Sequence, residues 1–318
     1  MLEVSVIIPV YNEEENISCL MAEFSAVLKK LGKKFEVIFI DDGSSDTSYA
    51  KLAALALSDS SIKVVRFTRN FGQTAAIAAG IAVAEGKILV LSDADLQNDP
   101  QDIPSLLLKL EEGYDVASGW RKNRQDSFWK RRLPSQIANK LISIITGVKL
   151  HDYGCTLKAY RQEFLKDIKL YGEMHRFLPA YLSWLGAKIA EVAVNHRARQ
   201  WGKSKYGLER IFKVVLDLMT VKFFGSFISK PIYPFGGLGM LLISGGVVCG
   251  IVTLIEKYFY GVWAHRNPLL LLAIFLFIVG LQFIILGLLA EILIRTYYET
   301  NNRPPYKIKE KVNLGHES

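Results

Sequence analysis

Two long segments without a charged residue constrain this chain more than any other feature of its sequence. Residues 231–255 and 267–290 contain no Asp, Glu, Lys or Arg, and each is longer than the roughly 20 residues that a membrane-spanning helix needs. Two helices buried in a soluble core are the alternative, but such helices rarely extend this far without a charge on any face. The sequence therefore predicts a hairpin of two transmembrane helices within residues 230–294.

Basic residues lie on the outer flanks of this hairpin. Eight Lys or Arg and only two acidic residues lie between positions 197 and 230, and five more basic residues follow the second span. By the positive-inside rule, the N-terminal domain and both termini are cytoplasmic in a protein of the cell (inner or plasma) membrane. Residues 207–229 mix apolar and basic side chains, which predicts amphipathic helices on an anionic membrane surface, although a helix packed on the domain would show the same pattern. Residues 295–318 are predicted to be a cytoplasmic tail.

The first 206 residues alternate between β-branched runs and amphipathic segments. The predicted strands are residues 4–9, 35–40, 63–67, 87–91, 116–119, 156–160 and 189–195. The predicted helices are a segment that starts with Asn12 as N-cap and Glu15 three residues later and ends at Gly32, then residues 48–58, 74–85 and 104–112. Repeated β-α-β units indicate the α/β class, with a mostly parallel sheet and helices on both faces. In such a sheet the ligand binds at the carboxyl ends of the strands.

Oxygen-bearing side chains follow the fourth predicted strand, where a ligand would bind. Asp93, Asp95 and Gln97 are two residues apart, so in an extended segment all three point to one side. Their oxygen atoms suit Mg2+ or Mn2+ and do not suit zinc. A lone Asp-x-Asp is common in loops by chance. Guanidinium groups in the same mouth, the cleft at the carboxyl ends of the strands, would however match a diphosphate bound beside the metal. The arginines that the sequence offers there are Arg121, Arg131, Arg132 and Arg199, although residues 130–132 also fit a solvated charge run.

Several other chemistries lack their motifs. The chain has no Gly-x-x-x-x-Gly-Lys-Ser/Thr loop, no Gly-x-Gly-x-x-Gly after the first strand and no Gly-x-Ser-x-Gly, which argues against P-loop phosphoryl transfer, dinucleotide binding and this type of serine hydrolase. Cys19, Cys155 and Cys249 are far apart, so neither a zinc site nor a disulfide framework is indicated. The net charge of +8 is not accompanied by any nucleic-acid-binding motif, so nucleic acid is not an expected partner.

Four motifs together resemble family 2 glycosyltransferases. They are Pro-Val-Tyr-Asn-Glu at 9–13, Asp-Asp-Gly-Ser-x-Asp at 41–46, Asp-Ala-Asp-Leu-Gln at 93–97 and Arg-x-x-Gly-x-Ser-Lys at 199–205. Within the family the chain resembles the polyprenyl-phosphate hexosyltransferases, the group of dolichol-phosphate-mannose synthase and the bacterial bactoprenol glucosyltransferases, which carry a two-span C-terminal anchor. The resemblance extends over essentially the whole chain. It implies a GT-A fold, which is a Rossmann-like, mostly parallel sheet.

The resemblance also implies roles for individual residues. Pro9, Tyr11 and Glu13, with Asp41 or Asp42, would bind the nucleoside. Asp93 would reach the ribose or metal region, and Asp95 and Gln97 would bind Mg2+ or Mn2+. The donor and lipid phosphates would be bound by Arg121, Arg132, Arg199, Ser204 and Lys205, and the segment containing His175 and Arg176 would lie near the acceptor.

The reaction implied by the resemblance is the transfer of one hexose from a nucleotide sugar to a polyprenyl phosphate, with inversion. UDP-glucose and undecaprenyl phosphate are the expected substrates, with GDP-mannose as the alternative donor. The catalytic residues would be Asp95, Arg121, Arg132 and Arg199, with Asp152 as a general base or, alternatively, a turn residue before a strand. A membrane carrier or flippase subunit is the competing interpretation, but Gln282 is the only strongly polar side chain well inside either span. The glycines of the first span would permit a homo-oligomer.

Overall fold

The structure is a computed structural model that describes residues 2–122, 133–166, 168, 170, 174–197, 232–261, 263, 267–300 and 306–314. The described residues form two compact units. One comprises those up to residue 197 together with residues 306–314, and the other comprises residues 232–300. The predicted interfacial segment 207–229 lies outside the described residues.

An eight-stranded sheet organises the first unit. Its strands are β1 (Val4–Val10), β2 (Phe35–Asp41), β3 (Ile62–Phe67), β4 (Ile88–Leu91), β5 (Val116–Trp120), β6 (Lys158–Arg161), β7 (Ile189–Ala193) and β8 (Ile308–Val312). Their order in the sheet is β7-β5-β6-β4-β1-β2-β3-β8. The four strands β4, β1, β2 and β3 are parallel neighbours, whereas β6 is antiparallel to β4 and β5, and β8 is antiparallel to β3. The predicted α/β class with a mostly parallel sheet is confirmed.

Helices cover both faces of this sheet. They are α1 (Ile17–Lys30), α2 (Ser48–Ser58), α3 (Gln73–Val83), α4 (Ile103–Glu111), α5 (Leu133–Thr146), α6 (Gln162–Leu165) and α7 (Leu178–Trp184). Alternate residues of β1 divide between two cores, because Val6 and Ile8 pack with α1, α2 and α4 while Ile7 packs with α3, α6 and α7. The Ala-rich α3 lies close to the sheet, and a Cβ on Gly80 would lie 2.3 Å from Ile7 Cγ2. Each fully buried aliphatic side chain contributes about 1.5–3 kcal/mol.

The first loop differs from its prediction. Helix α1 begins at Ile17 with Asn16 as N-cap, and Asn12 lies in the left-handed region with φ 53°. The prediction that Asn12 and Glu15 cap this helix was therefore wrong. The Asn12 side-chain oxygen accepts a hydrogen bond from the N–H of Ser45 in the next loop instead (2.9 Å), so a tertiary partner replaces the local one.

The C-terminal segment also differs from a simple tail. Residues 308–312 form β8, which pairs with β3 at the edge of the sheet, and the Thr68 N–H donates to the Lys307 carbonyl (3.1 Å). The ring of Tyr306 stacks on Phe67 with centroids 5.0 Å apart. Part of the segment assigned to the tail is thus a strand of the N-terminal sheet.

The second unit is a pair of long apolar helices, α8 (Ile232–Tyr260) and α9 (Pro268–Thr300). A Cβ on Gly239 or on Gly280 would lie 2.6 Å from the carbonyl oxygen of the other, so glycines permit close contact between the helices. Large apolar side chains such as Phe275 are exposed on the outside, unlike those of a soluble core. The segments Phe235–Tyr260 and Pro268–Ala290 are long and apolar enough to cross a membrane. They form the candidate membrane hairpin that the sequence predicts.

Candidate active site at the carboxyl ends of the strands

Hydrogen bonds join the loop after β1 to the loop after β2. The Asn12 N–H donates to Ser44 Oγ (3.0 Å), and the Glu13 N–H donates to Ser48 Oγ (2.9 Å). The side chain of Asn12 accepts in return from Ser45, as described above. The two strands are parallel neighbours and end at the same edge of the sheet, so these loops form one wall of the mouth predicted there.

Three of the predicted nucleoside-binding residues lie along this wall. Pro9 belongs to β1, Tyr11 follows the strand directly, and both are half-buried. Glu13 Oε2 accepts a hydrogen bond from Asn16 Nδ2 (2.6 Å). The carboxylate of Glu13 is thereby held beside the first turn of α1.

Asp42 connects the wall to the loop before α3. Its two carboxylate oxygens accept hydrogen bonds from the backbone N–H groups of Phe71 (2.6 Å) and Gly72 (2.9 Å). Burial raises the pKa of this carboxyl, while the two backbone hydrogen bonds lower it. The next residue, Gly43, has φ +69°, and a Cβ there would lie 2.4 Å from the backbone carbon of Arg69. A glycine at position 43 is therefore required for the two loops to approach.

Asp41 is completely buried at the end of β2. Its Oδ1 accepts from the Ser44 N–H (3.2 Å), and its Oδ2 lies 3.5 Å from Arg66 Nε on β3. Burial raises the pKa of this carboxyl, and Arg66 opposes that effect. Of the two alternatives, Asp42 accepts from two backbone N–H groups, whereas Asp41 accepts from one backbone N–H and is also paired with the Arg66 side chain.

The Asp-x-Asp segment is bent rather than extended. Leu96 has φ 58°, in the left-handed region, and both Ala94 and Leu96 are buried in the core. The extended backbone that the sequence predicts for residues 93–97 is therefore not present, because the segment bends at Leu96. Burial of the two apolar residues, rather than strand alternation, orients this segment.

Hydrogen bonds hold both carboxylates of this segment, from side chains at Asp93 and from a backbone N–H at Asp95. Asp93 Oδ1 accepts from Gln73 Nε2 (2.8 Å) and Asp93 Oδ2 accepts from Thr156 Oγ1 (2.6 Å). Asp95 is 8% exposed, and its Oδ1 accepts from the Gln97 N–H (3.2 Å). Asp93 is thus anchored from α3 and from the approach to β6, whereas Asp95 is held within its own segment.

Arg121 and Asp152 form a buried, bidentate ion pair. Arg121 Nε donates to Asp152 Oδ2 (2.7 Å) and Arg121 Nη2 donates to Asp152 Oδ1 (2.9 Å). Burial lowers the pKa of Arg121, but Asp152, and more weakly Asp93, raise it above its usual value. Asp152 Oδ1 also accepts from the Gly154 N–H (3.1 Å), which is the geometry of a turn residue. The turn alternative for Asp152 therefore matches the structure better than the general base.

A buried lysine interacts electrostatically with this ion pair. Lys158 on β6 is 2% exposed, and its Nζ donates to the Tyr153 carbonyl (3.1 Å). Burial lowers its pKa to about 8, and burial raises the pKa of the neighbouring Cys155 thiol to about 11. The sequence analysis missed Lys158, although a lysine within a predicted buried strand was a usable signal.

Two histidines are brought towards the same edge. His175 is buried, and its Nδ1 lies 2.7 Å from Thr74 Oγ1 on α3, while the charge of the adjacent Arg176 lowers the pKa of Lys158. His196 forms a β-bridge with Asn98, immediately after the Asp-x-Asp segment. The sequence analysis assigns His196 no role in the site. The other predicted phosphate-binding residues, Arg132, Arg199, Ser204 and Lys205, lie outside the described residues.

The donor atoms of Asp93, Asp95 and Gln97 fit a hard divalent cation, because all are carboxylate or amide oxygens. Within the described part of the chain, no group of three or more His, Cys, Asp or Glu side chains is arranged to hold a metal. Asp93, Asp95 and Gln97 at the end of β4 offer two carboxylates and one amide oxygen, and oxygen donors of this kind suit Mg2+ or Mn2+.

Comparison with known proteins agrees with this geometry. The family model for Glycosyl transferase family 2 matches residues 5–169, a segment that contains β1 to β6 and both aspartate motifs. The chain belongs to glycosyl transferase family 2. A relative, dodecaprenyl-phosphate galacturonate synthase of Rhizobium johnstonii (strain DSM 114642 / LMG 32736 / 3841), is 42% identical over 97% of this chain and 93% of its own length.

Solved structures share the fold at much lower identity. Glucosyl-3-phosphoglycerate synthase from Mycobacterium tuberculosis, in complex with Mn2+, UDP and phosphoglyceric acid, superposes with a TM-score of 0.55 at 19% identity, over 70% of this chain and 78% of that one. The same enzyme with Mn2+, UDP-glucose and phosphoglyceric acid gives a TM-score of 0.54 at 20% identity, over 70% and 79%. The family 2 domain of this chain therefore has the GT-A fold.

Proposed function

We propose that this family 2 glycosyltransferase is a membrane-anchored, inverting enzyme that transfers one sugar from a nucleotide sugar to a polyprenyl phosphate. The observation that carries the proposal is the 42% identity to a dodecaprenyl-phosphate galacturonate synthase over 97% of the chain. The anchored Asp-x-Asp segment and the buried Arg121–Asp152 pair supply the charges that such a reaction needs.

The donor nucleotide is assigned to the wall formed by the loops after β1 and β2. Tyr11 offers a ring and Glu13 offers a carboxylate for the hydrogen-bond donors of a nucleoside, and we assign Asp41, which is buried at the end of β2, to the same nucleoside site. The diphosphate then extends towards Asp93 and Asp95, where Mg2+ or Mn2+ would be held with Gln97. When bound, the metal would act as a Lewis acid that neutralises charge on the leaving diphosphate.

The acceptor phosphate needs little activation. Its second pKa is about 6, as in phosphomonoesters, so it is already anionic near neutral pH. Its oxygen forms a bond to the anomeric carbon while the bond from that carbon to the diphosphate oxygen breaks, and the diphosphate leaves with the electron pair. This displacement inverts the anomeric centre and requires no strong general base.

Charge neutralisation and orientation are then the main tasks of the protein. We assign Arg121 to a phosphate and Asp152 to holding the Arg121 guanidinium in place, because both oxygens of Asp152 are bonded to it. His175 and Arg176, together with Arg132, Arg199, Ser204 and Lys205, remain the predicted acceptor residues.

Membrane anchoring is consistent with the topology of the first unit. Strand β8 follows α9 in sequence and yet pairs with β3 of the catalytic sheet. Two membrane crossings would place the chain before α8 and the chain after α9 on one side of the membrane, in agreement with this strand pairing. The basic flanks favour the cytoplasmic side, where a nucleotide sugar is available to the site.

The proposed function can be divided further by the identity of the transferred sugar. The similarity to a galacturonate synthase makes UDP-galacturonate the first donor to test. UDP-glucose, which the sequence resemblance favoured, is the second, and GDP-mannose is the third.

The test is a transfer assay on the full chain purified in detergent. The protein is incubated with undecaprenyl or dodecaprenyl phosphate, Mn2+ or Mg2+ and each donor in turn, and the lipid is examined by mass spectrometry. We expect one donor to give lipid phosphate carrying a single sugar, and EDTA to abolish the product. Absence of a glycosylated lipid with every donor would contradict the proposal, and product formation in EDTA would contradict the metal assignment alone.

A further inference from the structure

The C-terminal strand reaches the donor side of the site through a row of charged residues. In the sheet register, Val10 of β1 is opposite Asp41 of β2, Asp41 is opposite Arg66 of β3, and Arg66 is opposite Glu310 of β8. Directly opposed residues on neighbouring strands have side chains on the same face and in contact. The row therefore runs from the outer edge of the sheet to the end of β1, next to Tyr11.

Interatomic distances along this row show that Arg66 joins two carboxylates. Its Nε lies 3.5 Å from Asp41 Oδ2, and its Nη1 lies 3.6 Å from Glu310 Oε1. The guanidinium carbon also lies 4.1 Å from the centroid of the Tyr49 ring. Tyr49 donates its hydroxyl hydrogen to Glu310 Oε2. Arg66 is thus fixed by Glu310 and by a tyrosine that Glu310 itself holds.

The position of Arg66 affects Asp41 because this carboxylate is buried. Asp41 is fully buried, whereas Glu310 is exposed and Arg66 is only about a quarter exposed. A buried carboxylate remains ionised only where hydrogen bonds and nearby cations replace its hydration, and Ser44 supplies hydrogen bonds to Asp41. Arg66 is the cation within ion-pair distance of Asp41 among the described residues. An exposed residue of the last strand therefore controls the partner of a buried carboxylate beside the predicted nucleoside site.

We propose that β8 is a positioning element of the donor-nucleotide site, acting through Glu310 and Arg66 on Asp41. Neither Glu310 nor Arg66 is a catalytic residue in this proposal. The inference rests on the proposed function, because it takes Asp41 to be a nucleoside-binding residue. It extends that function by making the segment after the membrane hairpin part of the donor site.

The test compares Glu310→Gln with Lys311→Gln in the full chain. Both residues are exposed, both substitutions remove one charge, and they point to opposite faces of β8 because strand side chains alternate. Binding of UDP and of GDP, each with Mn2+, is measured by titration calorimetry, and donor KM, acceptor KM and kcat are measured separately. We expect Glu310→Gln to weaken binding of the preferred nucleotide and to raise donor KM by about 3–10-fold, with acceptor KM unchanged.

A double-mutant cycle separates this mechanism from a general loss of stability. In a chain that already carries Arg66→Gln, adding Glu310→Gln should have almost no further effect on nucleotide binding, since the path to Asp41 is already broken. Equal nucleotide affinity for Glu310→Gln and Lys311→Gln, or additive effects in the cycle, would overturn the role of β8 while leaving the transferase function intact. Failure of the unsubstituted protein to bind UDP or GDP would overturn both proposals.

Discussion

The two halves of the mouth hold their carboxylates in different ways. On the side of β1 and β2, backbone N–H groups do most of this work, as with Asp42 and the N–H groups of Phe71 and Gly72. On the side of β4 to β6, side chains bind Asp93 and Asp152, and only Asp95 accepts from a nearby backbone N–H. A backbone N–H group has a fixed direction, whereas a side-chain donor can rotate from one acceptor to another.

This difference separates a framework from a set of exchangeable charges. Carboxylates bound to backbone groups shape the loops, so their loss is expected to reduce stability first. Carboxylates that face the diphosphate or hold a phosphate-binding cation act through their charge, so their loss is expected to reduce transfer, and also stability where a buried cation loses its partner. The substitutions below test this division, beginning with the largest expected effect.

Asp95→Asn should reduce transfer by about 100-fold or more, because it removes a charge from the predicted metal ligands. The side-chain oxygen can still accept the hydrogen bond from the Gln97 N–H, so the melting temperature should change little. Transfer is measured under saturating substrates, with thermal unfolding in parallel. The matched control is Asp59→Asn, at the opposite end of the sheet beside Ser61. Normal transfer by Asp95→Asn would remove this residue from the site.

Asp152→Asn should affect both transfer and stability, because it leaves the buried Arg121 guanidinium without its countercharge. Loss of one partner of a buried ion pair costs about 3–5 kcal/mol, and transfer should fall by about 10–100-fold as Arg121 loses its orientation. The double variant with Arg121→Met should recover thermal stability but no activity. Full activity of the double variant would show that this pair is only structural.

Asp42→Asn should mainly reduce stability. An amide has one acceptor oxygen, so one of the two backbone N–H groups at Phe71 and Gly72 loses its acceptor, at a cost of about 1–3 kcal/mol. Below its melting temperature the variant should retain donor KM within a few fold. A large rise in donor KM with unchanged stability would reverse the division and make Asp42 a direct nucleotide ligand.

Lys158→Met should change how stability depends on pH. Burial lowers the pKa of Lys158 to about 8 from an ordinary 10.5, so the folded state releases this proton more readily than the unfolded state. The cost of burying the charge is present below pH 8 and is lost as pH rises from 8 towards 10.5, which stabilises the natural protein over that range by about 3 kcal/mol. The rise should be absent in Lys158→Met. Melting curves at pH 7 and pH 9.5 measure it, and identical pH responses would contradict the assignment.

Much of the chemistry was predictable because it is local in sequence. The aspartate motifs follow β-branched runs, and the carboxyl ends of neighbouring parallel strands must meet at one edge. Errors arose where a distant partner replaced a nearby one. Asn12 bonds to Ser45 instead of capping α1, and the segment around Leu96 bends because its apolar residues enter the core.

The α/β class, the apolar hairpin and the family follow from the amino-acid sequence alone, because hydrophobic periodicity and motif spacing are properties of short segments. The partners of the charged groups depend on the tertiary structure. Asp152 meets Arg121 from 31 residues away, and Glu310 meets Tyr49 from 261 residues away. A strand such as Ile308–Val312, with charges at three of its five positions, reads equally well as a solvent-exposed tail. This strand pairs with β3 because the edge of β3 carries backbone groups that need hydrogen-bonding partners. No local sequence pattern specifies which segment supplies them.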